Sequence, residues 1–256
     1  MLNINAIAPE ELTLESKFKF RCYPGISCYK SCCKNIDIML TPYDIMRLKN
    51  RFGISSGEFL MKYTYVFVEP KSGYPFVFLN KNDDEEKTCP FLYEAGCSVY
   101  EDRPATCRYY PIGQASLKKL DLTEGITEEH YFFVREPHCK GFEEDKEWTV
   151  AEWRKDQGVD LYDDMNRGWK ELFFRKNLPG QTLDDKKQRA FYMACYDIDA
   201  FRRFIFESRF LEVFDIPEEK TEKMKNDETE LMNFAFDYMK FLLMMKETLR
   251  LKKQSV

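Results

Sequence analysis

Histidine is nearly missing from this chain: 256 residues include two, His130 and His138. Side chains that exchange protons near neutral pH are therefore scarce, and no H-E-x-x-H pair of the metalloprotease kind can exist. There is no G-x-G-x-x-G loop in a βαβ setting and no nucleophile elbow between a strand and a helix. No run of about 18 apolar residues occurs, which argues against a membrane-spanning helix. The opening MLNINAIAPEELTLESKF lacks the basic and apolar regions of a secretory signal. The expected compartment is the cytoplasm, where thiols stay reduced. Positive charge is not in excess either. The net charge is -5, which disfavours a nucleic-acid partner.

Aromatics and cysteines are what the chain does have. With 22 Phe, 15 Tyr and 44% hydrophobic residues it can bury a real core, so disulfides are not needed to compensate for a small one. Nine cysteines stand at 22, 28, 32, 33, 89, 97, 107, 139 and 195, and only Cys195 lies beyond residue 139. Clustered, reduced cysteines in a cytosolic chain point to a metal. Thiolates are soft ligands for zinc or iron–sulfur clusters, commonly four to a centre. In 22-CYPGISCYKSCC-33 the last two thiols are adjacent. Neighbouring side chains diverge in extended backbone. One of the pair therefore ligates while the other packs, or the two serve different centres. A vicinal disulfide would be strained, with Cα atoms only about 3.8 Å apart. Cys195, among Phe191, Met193 and Ala194, reads as a core residue.

The expected elements begin with a helix after Thr41, with Pro42 in its first turn, Asp44 completing a capping box and Gly53 ending it. A short helix follows Ser55 or Ser56. The stretch 65–79 reads as two strands around KSG, 80–87 as a solvated loop, and 89–113 as a turn-rich scaffold wrapped on a site. Two strands are expected near 114 and 130. Helices are expected over 147-EWTVAEWRKDQG and from 160, with a break at Pro179 and Gly180. A long helical stretch from 184, an interruption at Pro217 and a last helix over about 227–252 complete the reading. The fold class is α+β: a cysteine-rich metal-binding half with short strands and helices, 1–141, followed by an all-helical half, 142–256.

The pieces 20-FRC, 28-CYKSCC, 89-CPFL, 97-CSVYEDRP and 107-CRYYP together resemble the YkgJ-type cysteine-cluster family, a zinc- or iron-chelating domain. Flagellin lysine methylases, associated with an iron–sulfur cluster, are similar to it. The resemblance covers about 20–140. It implies metal ligation by Cys22, Cys28, Cys32, Cys33, Cys89, Cys97 and Cys107, with Cys139 as a further cysteine and Tyr100, Arg103, Pro104, Arg108 and Pro111 completing the motif. The usual CxxCxxCC spacing is here C-x5-C-x3-CC, because the loop 23-YPGIS is enlarged. Beside a thiolate centre, Arg103 and Arg108 would offset negative charge or donate hydrogen bonds to sulfur. The aromatics Phe20, Phe91, Tyr100, Tyr109 and Tyr110 would exclude water. His138, next to Cys139, is at most a minor ligand candidate.

An iron–sulfur centre, 4Fe-4S by the resemblance, is favoured, with zinc as the alternative. A cysteine-only site drawing on both groups is expected: Cys28 and Cys32 converge after a short turn, and the loops of 89, 97 and 107 close the opposite side. Three function classes follow. The first is a metal-centre protein handling electrons or metal with a protein or redox partner. The second is a cluster-dependent protein-modifying enzyme of the flagellin-methylase kind. The third is a structural zinc domain presenting the aromatic last helices to a protein partner.

Overall fold

The computed structural model describes residues 6–118, 127–174 and 182–252. The chain runs β1 (Ile7–Leu12), β2 (Lys17–Lys19), β3 (Met39–Leu40), α1 (Pro42–Phe52), α2 (Ser56–Tyr63), β4 (Thr64–Val68), β5 (Pro75–Leu79), β6 (Leu92–Tyr93) and β7 (Gly96–Cys97). It continues through α3 (Ala105–Tyr109), β8 (Ile112–Lys118), β9 (Thr127–Val134), β10 (Glu147–Thr149), α4 (Val150–Gln157) and α5 (Val159–Glu171). Last come α6 (Asp185–Cys195), α7 (Ile198–Phe206), α8 (Phe210–Val213), α9 (Glu218–Asn226) and α10 (Glu228–Leu242). Among the described residues, short strands mix with helices up to about residue 143, and those from 150 to 242 are essentially helical, as the α+β reading expects. By contact the chain forms two compact units, 1–39 with 79–162, and 40–78 with 163–256.

In the first unit an antiparallel sheet runs in the order β1-β9-β8, and β2 pairs with β10. Leu12, Phe18, Phe20, Ile112, Phe133, Val150 and Trp153 are buried together, and Cys139, Phe142 and Trp148 pack against them. Rings meet edge-on, Phe20 at 5.4 Å from Trp153 and 5.2 Å from Phe142. Each such ring contributes about 2–3 kcal/mol of burial. The single helix expected from 147 is corrected here. Residues 147–149 form a strand on Lys17–Lys19, and Trp148 Nε1–H donates to the Phe20 carbonyl at 2.9 Å. The helix starts only at Val150, because Thr149 and Glu152 form a capping box.

In the second unit α1 opens on the expected box, Thr41 with Asp44, and ends at Gly53 in a left-handed conformation. The letters 53-GISSG-57 match a G-x-S-x-G pattern, yet they lie between two helices, and Ser55 is occupied as the cap of α2 with Glu58. β4 and β5 are the expected strand pair. The stretch from 184 resolves into α6, α7 and α8. It breaks where the Asp197 side chain accepts from the Ala200 N–H, the cap of α7. Pro179 and Gly180 lie outside the described residues. The last helix is shorter than expected and stops at Leu242; Met244 turns left-handed (φ 56), and Thr248 Oγ1 donates back to the Asp237 carbonyl. Its Leu231, Phe234, Phe236 and Tyr238 are buried. The aromatic face read as a partner surface is therefore core. Among the described residues, no helix is long and apolar enough to cross a membrane.

Candidate metal centre

All eight clustered cysteines fall in the first unit. Cys195 falls in the second, buried at the end of α6, where burial raises its thiol well above the ordinary range. It is the core residue the sequence suggests.

The first cysteine loop is shaped by two non-glycine residues at positive φ, Lys30 (72°) and Asn35 (47°), which bracket the short helical turn Ser31–Cys33. Such conformations cost on the order of 1 kcal/mol and persist where the surroundings impose them. Ser31 N–H donates to Cys28 O, and Cys33 N–H to Lys30 O. The turn thus presents Cys28, Cys32 and Cys33 in quick succession. The Cys32 and Cys33 sulfurs are 4.0 Å apart.

Two later segments dock on this loop. Cys89 N–H donates to Cys33 O at 2.8 Å, and Leu92 N–H to Cys89 O at 3.0 Å; Leu92 then pairs with Cys97 across the β6–β7 hairpin. Gly96 sits at φ +127, and a Cβ there would stand 2.5 Å from Tyr29 Oη, so only glycine lets the hairpin close on the first loop. Lys30 Nζ adds a bond to Glu94 O. From the other direction, Lys140 N–H donates to Cys28 Sγ at 3.2 Å, and Arg21 N–H to Gly141 O at 3.0 Å. Cys139 is thereby held beside Cys28 and next to the strand that leads into Cys22.

The thiols feel one another. Burial pushes the Cys22 thiol up to about 11, and Cys32, Cys28 and Cys139 add to this. Burial also pushes Cys89 up to about 11, with Cys97 and Cys32 adding and the Phe91 N–H opposing. Cys139 is raised by burial first, then by Cys28 and Cys32, while Tyr110 and the Gly141 backbone pull it down. The hydrogen bond between the adjacent thiols lowers Cys32 to about 7 and raises Cys33, which burial, Cys107 and Cys89 raise further. Tyr110 Oη is buried without a hydrogen-bond partner among the described residues. Burial raises its hydroxyl, and Cys139 is the neighbour that adds most.

Arg103 and Arg108 are placed differently from the expectation that they donate to sulfur. Arg103 bonds Tyr100 O and Gln157 Oε1, with its guanidinium over the Tyr100 ring at 4.0 Å. Arg108 donates to Arg103 O, Gln157 O, Glu101 O and Tyr162 Oη. Both are clamps that hold the 100–108 segment, and Cys107 with it, against the end of α4. Of the aromatics, Phe20, Phe91 and Tyr109 are buried, whereas Tyr100 is half exposed. His138 is exposed, and His130 pairs with Glu11 on the sheet.

Residues 21–143 match the family described as "CxxCxxCC: Putative zinc- or iron-chelating domain". The matched span holds all eight clustered cysteines and leaves out Cys195. That description names zinc or iron chelation and does not mention flagellin lysine methylation. No curated protein and no solved structure matches the chain. Among the described residues no group of three or more His, Cys, Asp or Glu is set to hold a metal ion as it stands. The donor chemistry of residues 21–143 nevertheless suits a soft metal: eight thiols of separate segments share one unit, and a buried, unpartnered hydroxyl lies beside one of them. Sequence reasoning missed Tyr29 and the Lys140 N–H. Neither carries a signal, since one is an ordinary aromatic and the other a backbone group that only the fold brings to sulfur.

Proposed function

We propose that this protein is a metal-centre protein whose CxxCxxCC domain holds an iron–sulfur centre through cysteine thiolates and serves in electron or metal handling with a redox or protein partner. The observation that carries the reading is the gathering of Cys22, Cys28, Cys32, Cys33, Cys89, Cys97, Cys107 and Cys139 into one compact unit while Cys195 is buried in the other. Bound iron and sulfide would supply reversible one-electron chemistry. The chain's own groups would orient and tune: Lys140 N–H donates to Cys28 sulfur, Tyr110 Oη is free to donate toward Cys139, and the arginines hold the Cys107 segment. Zinc is the alternative that the matched description also names.

Anaerobic purification followed by metal and acid-labile sulfide analysis tests this. Iron and sulfide together, with a broad visible absorption that bleaches on reduction, are expected. Zinc without sulfide would replace the iron–sulfur reading by the zinc one. A chain that retains neither metal would sink both.

A further inference from the structure

We propose that β4 is the pairing edge of a reversible two-fold dimer: Thr64–Val68 of one copy adds antiparallel to the same strand of a second copy, with the two Val66 residues facing each other on the axis. The inference draws on neither the thiols nor a metal. Its starting point is 63-YTYVFVEP-70, a run of β-branched and aromatic residues without a charge before Glu69. In the sheet order β3-β5-β4 this strand is an outer one among the described residues. Tyr65, Val66, Phe67 and Val68 are each 42–44% exposed, so both faces of the strand meet solvent, whereas in β5 Pro75, Val77 and Leu79 are buried in alternation. Edge strands are ordinarily blunted by lysine, proline or a bulge. Within β4 there is no charge and no proline.

The register fixes which groups point outward. Glu69 N–H donates to Tyr74 O at 2.9 Å across the turn, which directs Glu69 toward β5. Bonding alternates along an antiparallel ladder, so Phe67 and Tyr65 also bond inward, while Val66 and Val68 turn their N–H and C=O outward. Tyr65 stacks on Phe78 with ring centroids 5.5 Å apart, in keeping with that register. Thr64 faces outward too, but its N–H is taken by Leu60 O at the end of α2, which leaves its carbonyl. A second copy set antiparallel meets these groups. Each Val66 N–H donates to the Val66 carbonyl of the other copy, and each Val68 N–H to the Thr64 carbonyl of the other. Tyr65 of one copy then lies opposite Phe67 of the other, at the kind of position where cross-strand side chains approach most closely.

The charges at the two ends select the second copy and its direction. Lys62 precedes the strand and Glu69 follows it. Antiparallel pairing brings the Lys62 end of one copy alongside the Glu69 end of the other, whereas parallel pairing would set like charges together. The contact also closes on itself. The opposite edge of the sheet, β3, is two residues long, and α2 and Pro70 stop β4 at its own ends, so pairing makes a dimer and does not propagate as a fibre. A five-residue edge is smaller than the interface of a permanent dimer, which is why the association is reversible and depends on concentration.

Sedimentation of the full chain from low micromolar to near-millimolar concentration tests this, under reductant so that no disulfide links two copies. The parent should pass from monomer to dimer. Val66→Lys and Val66→Glu each set like charges face to face on the axis and should stay monomeric, while an equal mixture of the two should regain the dimer, because unlike charges then meet. Val66 is exposed, so neither change disturbs the core. Val66→Pro, which removes the outward N–H and spares the inward ladder, is a further variant and should also be monomeric. Met244→Lys, at an exposed apolar residue elsewhere in the second unit, should dimerise like the parent. A parent that is monomeric at every concentration would overturn the proposal. So would dimers of Val66→Lys and Val66→Glu taken singly, which would place the interface elsewhere, or a monomeric mixture of the two beside a dimeric parent, which would take Val66 off the axis. Val66 and Val68 amides protected from hydrogen exchange in a monomeric parent would show that the chain itself covers this edge, and would overturn it as well.

Discussion

Gly141 and Phe20 meet so closely that no methyl group fits between them: a Cβ on Gly141 would stand 2.5 Å from Phe20 Cε2. Phe20 is almost wholly buried, with Trp153 and Phe142 against its ring, and cannot retreat. Gly141→Ala should therefore destabilise the first unit by about 1–3 kcal/mol through overpacking and move the turn that carries Cys139. A lowered denaturation midpoint, together with lower metal retention, is the expected pair of readouts. An unchanged midpoint would show that the ring can shift after all.

Arg108 clamps its own segment through four acceptors, three of them main-chain carbonyls. Lysine has a point charge where arginine has a planar fork. Arg108→Lys should leave several of these acceptors unpaired and lose about 2–3 kcal/mol. Thermal or denaturant unfolding of the metal-free protein checks this, because the effect is that of a clamp and does not need metal. A variant that is unaffected when metal-free but loses metal when loaded would instead place the guanidinium on the centre.

Tyr110 offers a prediction with opposite signs in two states. Its buried hydroxyl has no hydrogen-bond partner among the described residues, so Tyr110→Phe should leave the metal-free protein equally stable or stabilise it by up to about 1 kcal/mol. In the loaded protein a metal-bound Cys139 sulfur would accept from that hydroxyl, and the same variant should hold its metal about 10-fold less tightly. Chelator competition alongside denaturation separates the two effects. Equal behaviour in both states would remove Tyr110 from the site.

The raised thiols set the direction of pH dependence. Cys22 and Cys89, pushed up to about 11, keep their protons at neutral pH, and a metal must displace them. Metal affinity should rise from pH 6.5 to pH 9.5 (roughly the span below those values). The metal-free fold should do the reverse. An unfolded thiol titrates near 8.5, so above that pH the folded state holds more protons than the unfolded one, and stability falls as pH climbs toward 11. Chelator competition and denaturation at several pH values should therefore slope in opposite directions.

Removing metal should loosen the cysteine loops while the ring core of the first unit and the helices of the second persist. The loops bury little besides Ile26, Phe91 and Val99, whereas the core of the first unit has its own sheet and tryptophans. New trypsin cuts at Lys30, Lys34 and Lys87 after chelation, read by mass spectrometry, are expected. A cleavage pattern that chelation leaves unchanged would show that metal contributes nothing to ordering these loops.

Local chemistry is what the sequence makes legible. Thr41, Pro42 and Asp44 announce a helix start because a capping box is complete within four residues. The strand at 147–149 is invisible because its partner, Lys17–Lys19, is some 130 positions away. The early end of α10 is likewise unannounced, since Met244 takes the left-handed turn that a glycine would have signalled. At the site, the eight cysteines stand out by number and placement alone. Which of them keep company is decided by Lys140, Arg21 and Cys89 backbone bonds, and backbone groups are the same in every sequence.

The discontinuity of the two units also orders events at the ribosome. The first unit has all its parts once residue 162 is made, whereas residues 40–78 belong with a segment that begins only at 163 and continues to the end. At about 5–20 residues per second, Ile45, Leu48, Phe59 and Leu60 wait about 10–40 seconds before their helical partners up to residue 256 have been made. During that interval the cysteine unit is already complete in sequence. A metal centre of the proposed kind would then be open to filling while the chain is still growing, and the uncovered apolar helices of 42–63 are the part of the nascent protein that a chaperone would hold.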